Sequence, residues 1–175
     1  NEQLKGVGRM DSLNLILAHG GVTLTEAEKI AQADIKNDDY VELIKDMNET
    51  DLLAGAREAL EAIRAAGLKT GLASASKNAP AILERLGITD LFDTVVDANL
   101  VVNGKPDPEV FLKGAQQLGV AAADCIGVED AVAGVQSIKS AGMYAIGVGA
   151  ADVLTQADVV IDGLHQFKLS DYVKA

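Results

Sequence analysis

Tryptophan is absent from this chain, cysteine occurs once, and Phe and Tyr together account for 3% of it. Any core must therefore be assembled from Ala, Val, Leu and Ile. That suits helices packed on a parallel sheet better than a β-sandwich, whose strands carry more aromatic residues. The lone Cys125 excludes an intramolecular disulfide and a multi-cysteine zinc site. No apolar run approaches the length of a membrane span, and Asn1-Glu2-Gln3-Leu4-Lys5 does not read as a signal peptide. The expectation is a soluble cytoplasmic protein with no membrane partner, acting as a monomer. Cations are also scarce: 15 Lys and Arg stand against 26 Asp and Glu, for a net charge of −11. A chain so acidic is repelled by nucleic acid, although a few local cations can still hold a small phosphorylated ligand.

What is present is an ordinary globular balance, 49% hydrophobic and 23% charged over 175 residues. The pattern changes near residue 51. Residues 1–51 carry helical signals only. Asp11 is placed to cap a helix through Leu13, Ile16 and Leu17, which Gly20-Gly21 ends. Thr25 and Glu28 have capping-box spacing ahead of a helix running to about Lys45. Residues 52–175 alternate helices with short apolar strands. Strands are expected at Thr70–Ser74, Thr94–Val96, Cys125–Val128, Tyr144–Val148 and Val159–Ile161, and helices at about 56–66, 79–86, 108–118 and 131–141. This predicts an α/β class: a Rossmann-like parallel sheet core with helices on both faces, and a small helical cap formed by residues 1–51.

Ligands of such sheets lie at the carboxyl ends of the strands, which directs attention to three places. Ser74 closes an apolar strand and could donate to a phosphate, although alone it reads as a turn serine. Lys105, held between Gly104 and Pro106, could neutralise a phosphoryl group or be an ordinary surface lysine. Glu129-Asp130 offers adjacent carboxylates to a hard cation such as Mg²⁺; alternatively, Asp130 only caps the next helix. Near the start of the chain, Lys5, Arg9 and later Lys36 could grip a phosphate or be solvated helix-end charges. Gly147-Val148-Gly149 begins a dinucleotide fingerprint, but Asp152 stands where its third glycine belongs. His19 and His165 lack suitable partners in the sequence and read as surface residues.

Taken together, these positions resemble the haloacid-dehalogenase-like phosphotransferases. Leu72-Ala73-Ser74-Ala75-Ser76 resembles their second motif, Lys105-Pro106 their third, and Gly127-Val128-Glu129-Asp130 their fourth. Asn1 to Val7 with Arg9, Asp11 and Ser12-Leu13, together with Lys36-Asn37-Asp38 and Ser74 to Asn78, is similar to the β-phosphoglucomutase family in particular. The resemblance implies an Mg²⁺-dependent enzyme that interconverts β-D-glucose 1-phosphate and glucose 6-phosphate through an aspartyl-phosphate and a sugar bisphosphate. It implies Ser74 and Lys105 as catalytic residues that hold the transferring phosphoryl group, and Glu129 and Asp130 as metal ligands. It also implies sugar-phosphate binding by Gly6, Val7, Arg9, Ser12, Lys36, Ser76, Lys77 and Asn78. Two other readings stay open: a sugar-phosphate phosphatase of the same superfamily, and a non-catalytic sugar-phosphate-binding fragment. One departure is pronounced. The family's first motif is Asp-x-Asp at the end of a central strand, and no Asp-x-Asp occurs in these 175 residues. The strand, loop and helix that carry it would take roughly 25–45 residues. The expectation is therefore a sheet lacking its first, central strand, in a chain inactive by itself.

Overall fold

The computed structural model describes residues 4–173. The stretch Asn1 to Gln3, part of the family resemblance, lies outside them. Two helices come first. Helix α1 (Arg9–Gly20) begins after Gly8, and Gly21 in the left-handed conformation closes it by donating its N–H to the Ala18 carbonyl. Asp11 sits inside the first turn and does not cap the helix, because the chain turns helical three residues earlier than the sequence indicates, with Gly8 in place of Asp11 as the N-cap. Helix α2 (Glu26–Ile44) has the full expected capping box: the Thr25 hydroxyl accepts from the Glu28 N–H while the Glu28 carboxylate accepts from the Thr25 N–H. The two helices pack on each other yet bury only Ala33 and Ile44 between them, so Ile16, Ile30 and Ile35 stay more than half exposed.

The rest is a chain of helices α3 (Ala56–Ala65), α4 (Ala79–Arg85), α5 (Glu109–Leu118) and α6 (Val132–Ser140) alternating with strands. The strands are β1 (Gly71–Leu72), β2 (Thr94–Val95), β3 (Ile126–Glu129), β4 (Tyr144–Val148) and β5 (Val159–Ile161). All pairings are parallel, as the alternation predicts. Among the described residues they form two sheets, not one: β1–β2, with Gly71 opposite Thr94, and β3–β4–β5, with Gly127 opposite Ala145 and Gly147 opposite Val160. The first three strands are shorter than or displaced from their expected limits by a residue or two. Thr70, for instance, precedes β1. Its hydroxyl donates to the Leu91 carbonyl at 2.5 Å and its N–H to the Asp93 carboxylate at 2.7 Å, fixing the register of β1 on β2.

Helices α5 and α6 carry the main core. Val110, Phe111 and Ala115 meet Val135, Ile138, Met143, Ala145 and Leu154, and Ile138 and Ala145 are fully buried. A smaller cluster of Leu83, Leu86 and Ile88 gathers Leu52, Leu60, Leu72 and Phe92 around it. The aliphatic composition thus builds both clusters with Phe111 as the one buried aromatic ring of the main one. The Gly147-Val148-Gly149 pattern closes β4 and runs into turns, with no α-helix after it among the described residues to receive a pyrophosphate. No helix of the described residues is long and apolar enough to cross a membrane.

Candidate active site

The carboxyl ends of β1 and β3 open on one large cavity of about 2140 Å³, roofed by α1 and α2. Every site residue that the family resemblance implies lines it: Gly6, Val7, Arg9, Ser12 and Lys36 from the helical side, Ser74, Ser76, Lys77 and Asn78 after β1, and Lys105, Glu129 and Asp130; Lys5 is not part of the lining. A volume above the roughly 300–1,000 Å³ of small-ligand pockets means that sharing the lining does not itself bring two side chains into contact. Three smaller groupings are in contact.

The first is an ion pair at the end of β3. Lys105 Nζ lies 2.5 Å from Glu129 Oε1, with the two side chains only 8% and 10% exposed. The other carboxylate oxygen, Oε2, accepts the Asp130 N–H at 3.0 Å. The lysine also sits 4.9 Å from the centre of the Phe111 ring, a cation–π distance. Its loop is held from two directions. Glu109, at the start of α5, accepts the N–H groups of Val102 and Asn103 at 2.9 and 2.7 Å and pairs with Lys113. These donors, Lys113 first, hold the Glu109 carboxyl down at about 2. Downstream, the fully buried Ser137 hydroxyl donates to the Asp107 carbonyl at 2.6 Å. The Lys105-Pro106 peptide is cis. Gly134 on α6 is what lets Glu129 lie flat, since a Cβ there would overlap the glutamate's Cγ, Cδ and Oε1. Gly6, with positive φ, closes over the pair: a Cβ built on it would meet Ala131 at 3.0 Å and Glu129 Oε1 at 3.6 Å.

The second grouping is the turn after β1. Ser74 Oγ accepts the Ser76 N–H at 3.1 Å, and Ser76 Oγ accepts the Asn78 N–H at 3.2 Å. Each hydroxyl is thus held through a lone pair and keeps its own proton to donate. The turn-serine reading and the phosphate-donor reading are both satisfied by this geometry. Lys77 is exposed beside them.

The third links the helices to this turn. Asn37 Oδ1 accepts from Arg9 Nη2 at 2.5 Å and from Asn78 Nδ2 at 3.1 Å. Arg9 also lies 3.9 Å from Asp34. Ser12 donates to the Val7 carbonyl at 3.4 Å, and Lys36 is exposed. Asn37, Glu109, Ser137 and Gly134 were not among the sequence candidates. Asn37 adjoins Lys36 and could have been suspected for that reason. The others act through contacts across at least four residues of chain, and no local motif marks them.

For a divalent cation the donor chemistry is right, but the set is small. Glu129 and Asp130 are adjacent hard-oxygen ligands, and Asp130 is exposed and does not cap α6, whose N-cap is Ala131. Among the described residues no cluster of three or more His, Cys, Asp or Glu side chains could hold a metal. The two carboxylates therefore fit Mg²⁺, an ion that keeps several waters, as part of its shell and not as a complete cage. His165 has a neighbour the sequence did not indicate, Asp162 at 3.5 Å, but both are exposed and His19 is exposed as well.

Comparisons with known proteins identify the family. The haloacid dehalogenase-like hydrolase family model matches residues 3–142. The β-phosphoglucomutase of Bacillus subtilis is 47% identical over 163 residues, covering 92% of this chain and 72% of that protein. The fructose-1-phosphate phosphatase of Escherichia coli is 33% identical, covering 76% of this chain and 83% of its own length. The crystal structure of β-phosphoglucomutase from Clostridium difficile superposes with a TM-score of 0.94 at 43% identity, over 97% of this chain and 77% of that one. The chain belongs to the haloacid dehalogenase-like hydrolase family, within which it is a β-phosphoglucomutase homologue.

Proposed function

We propose that the protein is a phosphotransferase of sugar phosphates that interconverts β-D-glucose 1-phosphate and glucose 6-phosphate by way of a sugar bisphosphate. The observation that carries this reading is the cleft itself. A buried, ion-paired lysine lies at the end of β3, paired hydroxyl donors lie after β1, and an arginine reaches down from the helices. All three line one cavity. The name of the B. subtilis relative supports the substrate assignment.

In this proposal residues 1–51 act as a cap over a core of residues 52–175. Ser74 and Lys105 hold the transferring phosphoryl group: the hydroxyl donates to one phosphoryl oxygen and the ammonium offsets developing charge in a site shielded from water. Ser76, Lys77 and Asn78 bind the distal phosphate. Arg9 and Lys36 grip it from the cap, with Gly6, Val7 and Ser12 lining the sugar's path. In one half-reaction a carboxyl phosphate gives its phosphoryl group to a sugar hydroxyl, which loses its proton, and forms the bisphosphate; in the other the freed carboxylate takes the second phosphoryl group, the P–O bond to the sugar breaks, and the released sugar oxygen gains a proton. With no Asp-x-Asp in the 175 residues, that carboxylate is assigned to none of them. Glu129 and Asp130 would supply two oxygens to Mg²⁺, which lends the phosphoryl oxygens further charge neutralisation. Cap closure excludes water and favours transfer to sugar over hydrolysis.

The test is an assay of the full-length gene product with Mg²⁺, β-glucose 1-phosphate and a trace of the bisphosphate, following glucose 6-phosphate with a coupled dehydrogenase. Glucose 6-phosphate should accumulate, and Lys105→Ala should abolish this. Unchanged β-glucose 1-phosphate would overturn the substrate assignment. Release of inorganic phosphate without isomerised product would select the phosphatase reading, which the E. coli relative favours.

A further inference from the structure

One side chain of α2, Asn37, touches both α1 and the turn after β1. Its Oδ1 accepts from Arg9 Nη2 at 2.5 Å and from Asn78 Nδ2 at 3.1 Å, so both lone pairs of that oxygen are engaged. The donors are not used up by it, since a guanidinium carries five N–H bonds and a carboxamide two. Asp34, on the same face of α2, lies 3.9 Å from Arg9 Nη1. The arginine is therefore addressed through both terminal nitrogens, which leaves its planar fork little freedom to swing. A second contact sets how α2 lies against α4. The Lys45 carbonyl, at the C-cap of α2, accepts from Arg85 in the last turn of α4. The two contacts join residues 37 and 45 of the first helix to residues 78 and 85 along the second. At about 1.5 Å per residue these spans are about 12 and about 10.5 Å. The two segments thus run side by side in the same direction, tied at both ends.

We propose that Asn37 is a positioning residue of the phosphate subsite. Through one oxygen it sets Arg9 and Asn78 in a fixed relation, so that a phosphate held by both draws α2 onto the turn after β1. The inference rests on the proposed function, which gives both donors to the distal phosphate. A phosphate oxygen held by Arg9 alone would be bound by the helices only, and one held by Asn78 alone by the core only. With Asn37 between them the two grips become one, and the Lys45–Arg85 contact serves as the pivot. The choice of an amide fits this role. Asp34, Asp38 and Asp39 surround position 37 in the sequence, yet a neutral residue stands there. It accepts from both donors without setting a negative charge beside a phosphate.

The experiment binds glucose 6-phosphate to the full-length gene product by calorimetry and follows amide hydrogen exchange with and without it. In the wild type the sugar phosphate should slow exchange both at residues 74–78 and in the middle of α2. Asn37→Ala should raise Kd about fivefold to tenfold, the loss expected for one hydrogen bond. In that variant the slowing at 74–78 should remain while the slowing in α2 disappears. Asn37→Asp keeps the shape and both accepted bonds. It should melt at or above the wild-type Tm and yet bind glucose 6-phosphate at least about tenfold more weakly, because the phosphate now meets a like charge. A merely structural Asn37 would be rescued by Asp in affinity as well as in stability. That rescue would overturn the proposal. So would wild-type affinity with coupled protection in Asn37→Ala, or faster exchange throughout that variant, α5 and α6 included. Binding is read without turnover, so a protein that shows the expected coupling but isomerises nothing refutes the mutase assignment and supports the positioning role.

Discussion

Replacing Gly134 by Ala puts a methyl group into space that the Glu129 side chain already fills. The conflict involves Cγ and Cδ as well as the terminal oxygen, so a small rotation of the carboxylate does not relieve it. The glutamate must leave its position, and with it go the Lys105 pair and the Asp130 N–H bond. Separating a nearly buried ion pair while leaving the lysine in place costs about 3–5 kcal/mol. Against this, Ala is a better helix former than Gly by up to about 1 kcal/mol. The net expectation is a loss of about 2–4 kcal/mol, or a fall in Tm of roughly 5–15 °C for a chain of this length. Thermal unfolding followed by circular dichroism measures it. The decisive control is the same substitution in a Glu129→Ala background, where the space is vacant. There Gly134→Ala should be neutral, or stabilising by up to about 1 kcal/mol. An equal loss in both backgrounds would refute the steric argument and show that Gly134 matters to α6 by itself.

Asn37→Ala removes the acceptor shared by Arg9 and Asn78 and should cost roughly 1 kcal/mol, the arginine being part-exposed. Faster hydrogen exchange in α2 and in residues 74–78, with α5 and α6 unchanged, would bear this out. Glu109 has its carboxyl held at about 2, below its ordinary value of 4.5, so the folded state favours the ionised form. Its contribution is full above the ordinary value and is lost as pH falls through about 2. An acid titration of stability should therefore lose part of its low-pH slope in Glu109→Gln, and an unchanged slope would contradict the clamp on Val102 and Asn103. Gly55 has a φ of +84°, and a Cβ there would overlap the backbone of Leu164 and His165. Gly55→Ala should destabilise by about 1–3 kcal/mol and release residues 164–166 from α3, an effect limited proteolysis would detect.

Much of this was legible in the sequence because the relevant physics is local. The Thr25–Glu28 capping box, the stop at Gly20-Gly21 and the alternation of helices with apolar strands each depend on residues within one or two turns of each other. The strand-end rule then led from strand positions to Ser74, Lys105 and Glu129 without any coordinates. The boundary of α1 was misjudged because Asp11 has the chemistry of a cap, while the turn actually starts at Gly8, where a residue without a capping side chain serves.

The sequence by itself determined the element types, the parallel connectivity and the chemistry of the candidate site residues, since those follow from side-chain type and short spacing. Only the tertiary structure decided which of them touch. The Lys105–Glu129 pair spans 24 residues, Arg9–Asn37 spans 28, and Asn37–Asn78 spans 41. Such contacts are set by how helices seat on strands, and so is the clearance that Gly134 gives Glu129. Packing of distant segments has no signature in local periodicity, because the forces that select it act only once those segments have met.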